Sequence, residues 1–172
     1  MTVLKVLTYP DPFLKTVVQP VVEFDQQLEK IADDMAETMY ESNGIGLAAT
    51  QVGIDKRLVV IDVSYKKNDE DDYEKNPLIM INPVIIEKID HLFFEEGCLS
   101  VPDYRAEVER YEKVKVQYNQ LDGEEITIET DGLFAICVQH ELDHLNGILF
   151  IDKLPLLKRK MIQKKLKKQA VQ

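Results

Sequence analysis

Two histidines four residues apart flank a glutamate in His140-Glu141-Leu142-Asp143-His144. On a helix that spacing brings both imidazoles to one face, about 6 Å apart between β-carbons, where they can meet one metal ion. Glu141 then stands beside the ion and can exchange a proton with a water molecule there. The plainer reading is a pair of histidines hydrogen-bonded in a core. Against it, two of only three histidines in the chain fall in this one pattern. A catalytic site of this kind uses three protein ligands and keeps one position open. Downstream, Asp152 is the only acid, and Phe150 stands where a third histidine of an extended motif would fall. Upstream, Glu95-Glu96-Gly97-Cys98-Leu99-Ser100 supplies a thiol. A cysteine after a glycine is often a small buried hydrophobe, but with no other third ligand in reach Cys98 completes a Cys-His-His set, a soft donor set suited to a transition metal.

Those residues need elements to hold them. Leu133, Ile136, Cys137, His140 and His144 form one helical stripe and Phe134, Val138, Leu142 and Leu145 another, so the helix is apolar nearly all round and belongs at the centre of a fold. Gly147 ends it. Polar groups buried there without partners would cost roughly 1–3 kcal/mol each, which again asks for a ligand or hydrogen bonds. Asp143 reads either as an acceptor behind a histidine or as a residue on a solvent edge.

Residues 25–42 carry Leu28, Ile31, Ala32, Met35, Ala36 and Met39 at helical spacing, with Asp25 as cap and Asn43-Gly44 as stop. Residues 44–53 form a loop or extended strand. Val- and Ile-rich runs at 57–63 and 77–87 predict strands, and the alternation at 107–118, the turn Leu121-Asp122-Gly123-Glu124 and the run 125–129 predict a hairpin. The acidic stretch 66–76 reads as a solvated hairpin or excursion loop. The expected fold is α+β, with antiparallel β-sheets packed around the buried helix that carries His140 and His144, plus a C-terminal helix.

At 172 residues, with 45% hydrophobic and 30% charged residues, the chain fits a single domain, 1–172, and is neither disordered nor collagenous. No apolar run approaches the roughly 20 residues that span a bilayer, and Met1 to Pro12 has no apolar core resembling a signal peptide, so a soluble, cytoplasmic protein without membrane contact is expected. Cys98 and Cys137 could form at most one disulfide and are each read as thiols. Net charge is −10, unevenly spread: residues 153–172 hold eight Lys or Arg and no acid, leaving −18 on the rest. The acidic body argues against a nucleic-acid coat, while the basic tail could touch RNA or another anionic surface.

Three segments together, Gly44-Ile45-Gly46-Leu47-Ala48-Ala49-Thr50-Gln51-Val52-Gly53, Glu96-Gly97-Cys98-Leu99-Ser100 and Gln139-His140-Glu141-Leu142-Asp143-His144, resemble the three motifs of peptide deformylases, in that family's order. The resemblance runs from about Leu7 to the C terminus. It implies removal of the formyl group from the N-terminal formylmethionine of new bacterial or organellar proteins, with nascent chains as partners. It implies one divalent metal on Cys98, His140 and His144, usually Fe2+, with Zn2+, Ni2+ or Co2+ able to occupy isolated protein.

By the same resemblance Glu141 is the general acid/base, and Gln51 with the Leu99 backbone N–H holds the formyl oxygen. Ile45, Glu96, Leu133, Ile136 and Cys137 would shape a pocket for the methionine side chain, although spacing alone equally allows the last three as ordinary core. Gly46 and Gly97 would admit the substrate backbone as an added strand, and Arg105 would orient the cysteine loop or Glu96. The basic helix 155–170 resembles the terminal helix that docks near the ribosomal exit tunnel, or is simply an exposed basic helix. Two rival readings are an H-E-x-x-H metallopeptidase and a silent, ribosome-associated metal-binding module. The second is weakened by Gln51, Cys98 and Glu141, since a structural zinc site needs four ligands and no general base.

Overall fold

The computed structural model describes residues 1–65 and 74–171; the acidic stretch expected at 66–76 lies mostly outside them. Among the described residues, five strands, β1 Gly46–Ala48, β2 Leu58–Ile61, β3 Leu78–Cys98, β4 Val101–Asn119 and β5 Glu125–Asp131, form one antiparallel sheet in chain order, and three α-helices accompany it: α1 Gln26–Glu41, α2 Gly132–Leu145 and α3 Leu156–Ala170. The class is α+β, as expected.

β2 reads Leu-Val-Val-Ile without polar interruption because both its faces are covered. Val59 and Ile61 pack with Met80, Val114 and Val116 against Ala135, Val138, Leu142 and Leu145 of α2. Leu58 and Val60 on the other side meet Leu28, Ala32, Met35 and Met39 of α1. Asp25 caps α1 by accepting from the Leu28 N–H at 2.9 Å, and Asn43 at φ 57° supplies the left-handed residue just past its end. Segment 44–53 resolves into β1 and a single 3-10 turn, Ala49–Val52. A third apolar cluster joins Leu14, Val101, Ala106, Val108, Phe150 and Ile151 to Ile162 and Leu166, the two buried residues of α3.

The sheet departs from expectation in two ways. It is single where several were expected, because β3 and β4 run long and shift register between Ile81 and Val84, Ile85 and Glu87, and Gly97 and Cys98, bending instead of breaking. β3 also continues beyond residue 87 and β4 begins at 101, before residue 107. This ribbon is exposed over much of 86–95, so its polar residues carry little of the alternation that marks a half-buried strand.

Candidate metal centre and active site

α2 is buried from Ala135 through Leu145 except at Asp143, and it presents His140 and His144 toward the tip of the β3–β4 hairpin. Cys98 is the last residue of β3, directly before the two-residue turn Leu99-Ser100. Cys98 Sγ lies 3.3 Å from His144 Nε2, and the two Nε2 atoms lie 3.2 Å apart. Donor atoms of all three side chains fall within 4.8 Å of one another.

Metal–nitrogen bonds near 2.05 Å and a metal–sulfur bond near 2.3 Å in a tetrahedron put N···N about 3.3 Å and S···N about 3.5 Å apart. The nitrogen–nitrogen spacing and the spacing from Cys98 Sγ to His144 Nε2 match those edges. Hydrogen bonding accounts for them poorly, because His140 Nδ1–H donates to the ionised Glu96 Oε1 at 2.8 Å, which leaves the Nε2 lone pair aimed at the cluster. Burial and the neighbouring His140 and Arg110 charges push His144 well below its usual range, so it stays neutral. Burial also opposes charge on His140, but Cys98 and Glu96 outweigh it and raise that group; a cation there replaces a proton.

Glu96 is itself clamped. Arg110 Nε donates to Glu96 Oε2 at 2.6 Å and a terminal guanidinium nitrogen to Oε1 at 2.8 Å. Burial alone would raise the Glu96 carboxyl, but Arg110 and His140 outweigh it and hold it at about 2. The other terminal nitrogen of Arg110 reaches Asp143 Oδ2 at 2.6 Å, and Lys153 stands 3.5 Å from the same oxygen. Asp143 therefore supports a guanidinium, not a histidine.

Glu141 lies beside this cluster with Oε2 buried and without a hydrogen-bond partner among the described residues. Burial pushes its carboxyl up to about 7; Glu96 adds to this, while His140 and Arg110 oppose it. A carboxyl held near neutrality can take and return a proton at physiological pH. Gly46 packs on it so closely that a Cβ there would sit 2.6 Å from Glu141 Oε1 and 2.7 Å from Cys137 Sγ.

A cavity of about 740 Å3 opens onto these groups. Its walls include every site residue expected from sequence apart from His144: Ile45, Gly46, Gln51, Glu96, Gly97, Cys98, Leu99, Arg105, Leu133, Ile136, Cys137, His140 and Glu141. Both cysteines are free thiols. Gln51 is pinned by the Ala48 N–H, which donates to Oε1 at 2.9 Å, while Nε2 faces Ser100 Oγ at 3.1 Å and Cys98 Sγ at 3.6 Å.

Arg105 donates to the Glu95 carbonyl at 3.2 Å and covers Gly97; Arg110 is the residue that orients Glu96. Sequence reading missed Arg110 and left Ser100 without a role. Arg110 did leave a signal, since it occupies the same face as Val108 in an alternating strand and is 3% exposed. A charge at an inward position marks a buried partner.

Residues 3–160 match the family model described as polypeptide deformylase. The chain is 53% identical over 170 residues to a peptide deformylase of Pseudoalteromonas translucida, covering 99% of this chain and 98% of the relative. It is 52% identical over 173 residues to one from Brucella suis, covering 100% and 96%. Among solved structures, a peptide deformylase from Legionella pneumophila superposes with a TM-score of 0.89 at 42% identity, covering 98% and 96%. One from Ehrlichia chaffeensis in complex with actinonin gives 0.89 at 39% identity and 98% of both chains. With a match of that extent and the three motifs gathered at one cavity, the chain belongs to the polypeptide deformylase family.

Proposed function

We propose that this enzyme hydrolyses the formyl amide at the N-terminal methionine of newly made proteins, releasing formate and a free amine. The observation that carries this reading is the convergence of Cys98 Sγ, His140 Nε2 and His144 Nε2 beside the unpartnered Glu141 carboxyl at the wall of one cavity.

One divalent ion on Cys98, His140 and His144 would supply Lewis-acid activation of water and of the formyl carbonyl. Fe2+ is the ion the family resemblance favours, and Zn2+, Ni2+ and Co2+ suit the same donors. Glu141 takes the proton lost by the attacking water and returns it to the amine nitrogen as the C–N bond breaks. Gln51 Nε2 and the Leu99 backbone N–H donate to the formyl oxygen as negative charge gathers on it, an effect worth about 2.7–4 kcal/mol per donor in other hydrolases.

Leu133, Ile136 and Cys137, on the α2 turns before His140, and Ile45 offer an apolar wall for the methionine side chain. Gly46 and Gly97 face the cavity from β1 and β3, where an extended peptide would pair along their backbones. Arg105 steadies the approach to Gly97 from outside.

The helix at 155–170 exposes Leu157 and Met161 among its lysines, which suits docking on ribosomal RNA near the exit tunnel, in the cytoplasm. No described helix is long and apolar enough to cross a membrane.

The direct test is formate release from a formyl-Met-Ala-Ser peptide by protein loaded anaerobically with ferrous iron. Release identifies the reaction. Cleavage of internal peptide bonds instead would make the protein a peptidase, and inertness toward both would make it a silent metal-binding module.

A further inference from the structure

We propose that Ser100 is a positioning residue that aims the Gln51 amide at the formyl oxygen; this rests on the deformylase reading. Ser100 is fully buried, and its hydroxyl accepts from Gln51 Nε2 at 3.1 Å. The Ala48 N–H on Gln51 Oε1 fixes which end of the amide is nitrogen. One Nε2 proton is therefore committed to Ser100, and the other is left on the side of Cys98 Sγ, 3.6 Å away, where the metal donors converge. Without the hydroxyl, the amide would keep the bond at Oε1 and only the long contact from Nε2 to Cys98 Sγ, and its donor would lose the partner that fixes its line.

The backbone preserves the same spacing. The Leu7 N–H donates to the Gln51 carbonyl at 2.7 Å and the Tyr9 N–H to the Ser100 carbonyl at 2.8 Å, so one short segment straps the two residues side by side. Ser100 has a second, separate contact, from its backbone N–H to Cys98 Sγ at 3.4 Å. Replacing the side chain leaves that backbone contact to Cys98 Sγ in place.

Ser100→Ala should lower kcat about 10- to 100-fold, as misdirected catalytic groups do, with KM unchanged and the thiolate-to-metal absorption of the cobalt-loaded protein unchanged. Added to Gln51→Ala, it should cause no further loss. Unchanged kcat in Ser100→Ala overturns the proposal. So does a loss that multiplies with that of Gln51→Ala, or one accompanied by a shifted cobalt spectrum, since either marks a general structural role. Should Ser100→Ala lose its cooperative thermal transition, Ser100→Cys, similar in shape but a weak acceptor, takes its place in the same comparisons. Wild type assayed alongside separates the two readings: inert wild type removes the deformylase assignment, whereas active wild type with an equally active variant removes only the role of Ser100.

Discussion

Arg110 holds Glu96 with two of its guanidinium nitrogens, at 2.6 and 2.8 Å, and both side chains are nearly inaccessible, at 3% and 4% exposure. With the third nitrogen on Asp143, one side chain of β4 ties the end of β3 to α2, the two elements that bring Cys98 and His140 together. Removing one partner strands a buried charge, which costs about 3–5 kcal/mol. Arg110→Met should therefore lose about that much unfolding free energy in urea. Arg110→Lys should recover little of it, because an ammonium cannot reproduce the planar fork. A lysine variant as stable as wild type would show that charge alone suffices.

Glu141 Oε2 has no polar partner among the described residues, so its removal disturbs the chemistry more than the scaffold. Glu141→Ala should lower kcat by about 10²- to 10⁴-fold while binding one equivalent of metal with unchanged affinity in chelator competition. Turnover at the wild-type rate would remove Glu141 from proton transfer.

Gly46 and Glu141 touch across the cavity. A methyl group at 46 would overlap Glu141 Oε1 and Cys137 Sγ at 2.6 and 2.7 Å, and the carboxylate end is the movable member. Gly46→Ala should displace Glu141 from its working position and lower kcat by about 100-fold, with metal content retained. A crystal structure of the variant with Glu141 in place and normal turnover would show that the contact can relax elsewhere.

Much of this site was legible because its chemistry is local in the chain. His140 and His144 share a helix face by spacing, and Cys98 follows from the absence of another third ligand. What stayed hidden depends on contacts distant in sequence. Arg110 is 14 residues from Glu96 and 33 from Asp143, so nothing local pairs them. Ser100 meets Gln51 across 49 residues, side by side under the Leu7–Tyr9 strap. Arg105 was expected to orient the cysteine loop or Glu96; it donates to the Glu95 carbonyl while Arg110 holds Glu96, because the strand register sends one outward and the other in. The length of β3 and β4 escaped for a different reason: a two-stranded ribbon in water has no buried face to impose a period of two.

Asp62 joins the two ends of the acidic excursion and lies away from the metal donors. Its Oδ1 accepts from Ser64 Oγ and from the Ser64 and Tyr65 N–H groups, and its Oδ2 from the Tyr40 hydroxyl at 2.7 Å and the Asn76 N–H at 3.0 Å. Its own N–H donates to the Ile45 carbonyl at 2.9 Å, so this clasp also seats one rim of the cavity. Burial would raise the carboxyl, but the bonds from Tyr40, Ser64 and Asn76 outweigh it and hold the group below 3.8. Because the folded value lies below the unfolded one, its stabilisation is complete above the unfolded value and disappears as pH falls through the folded value. Asp62→Asn, which cannot accept on both sides, should cost about 2–3 kcal/mol at pH 7. The gap between wild type and variant in urea unfolding should stay constant from pH 7 to 5 and narrow below about pH 4. A gap that persists unchanged into acid would mean that the shape of the side chain, not its charge, holds the clasp.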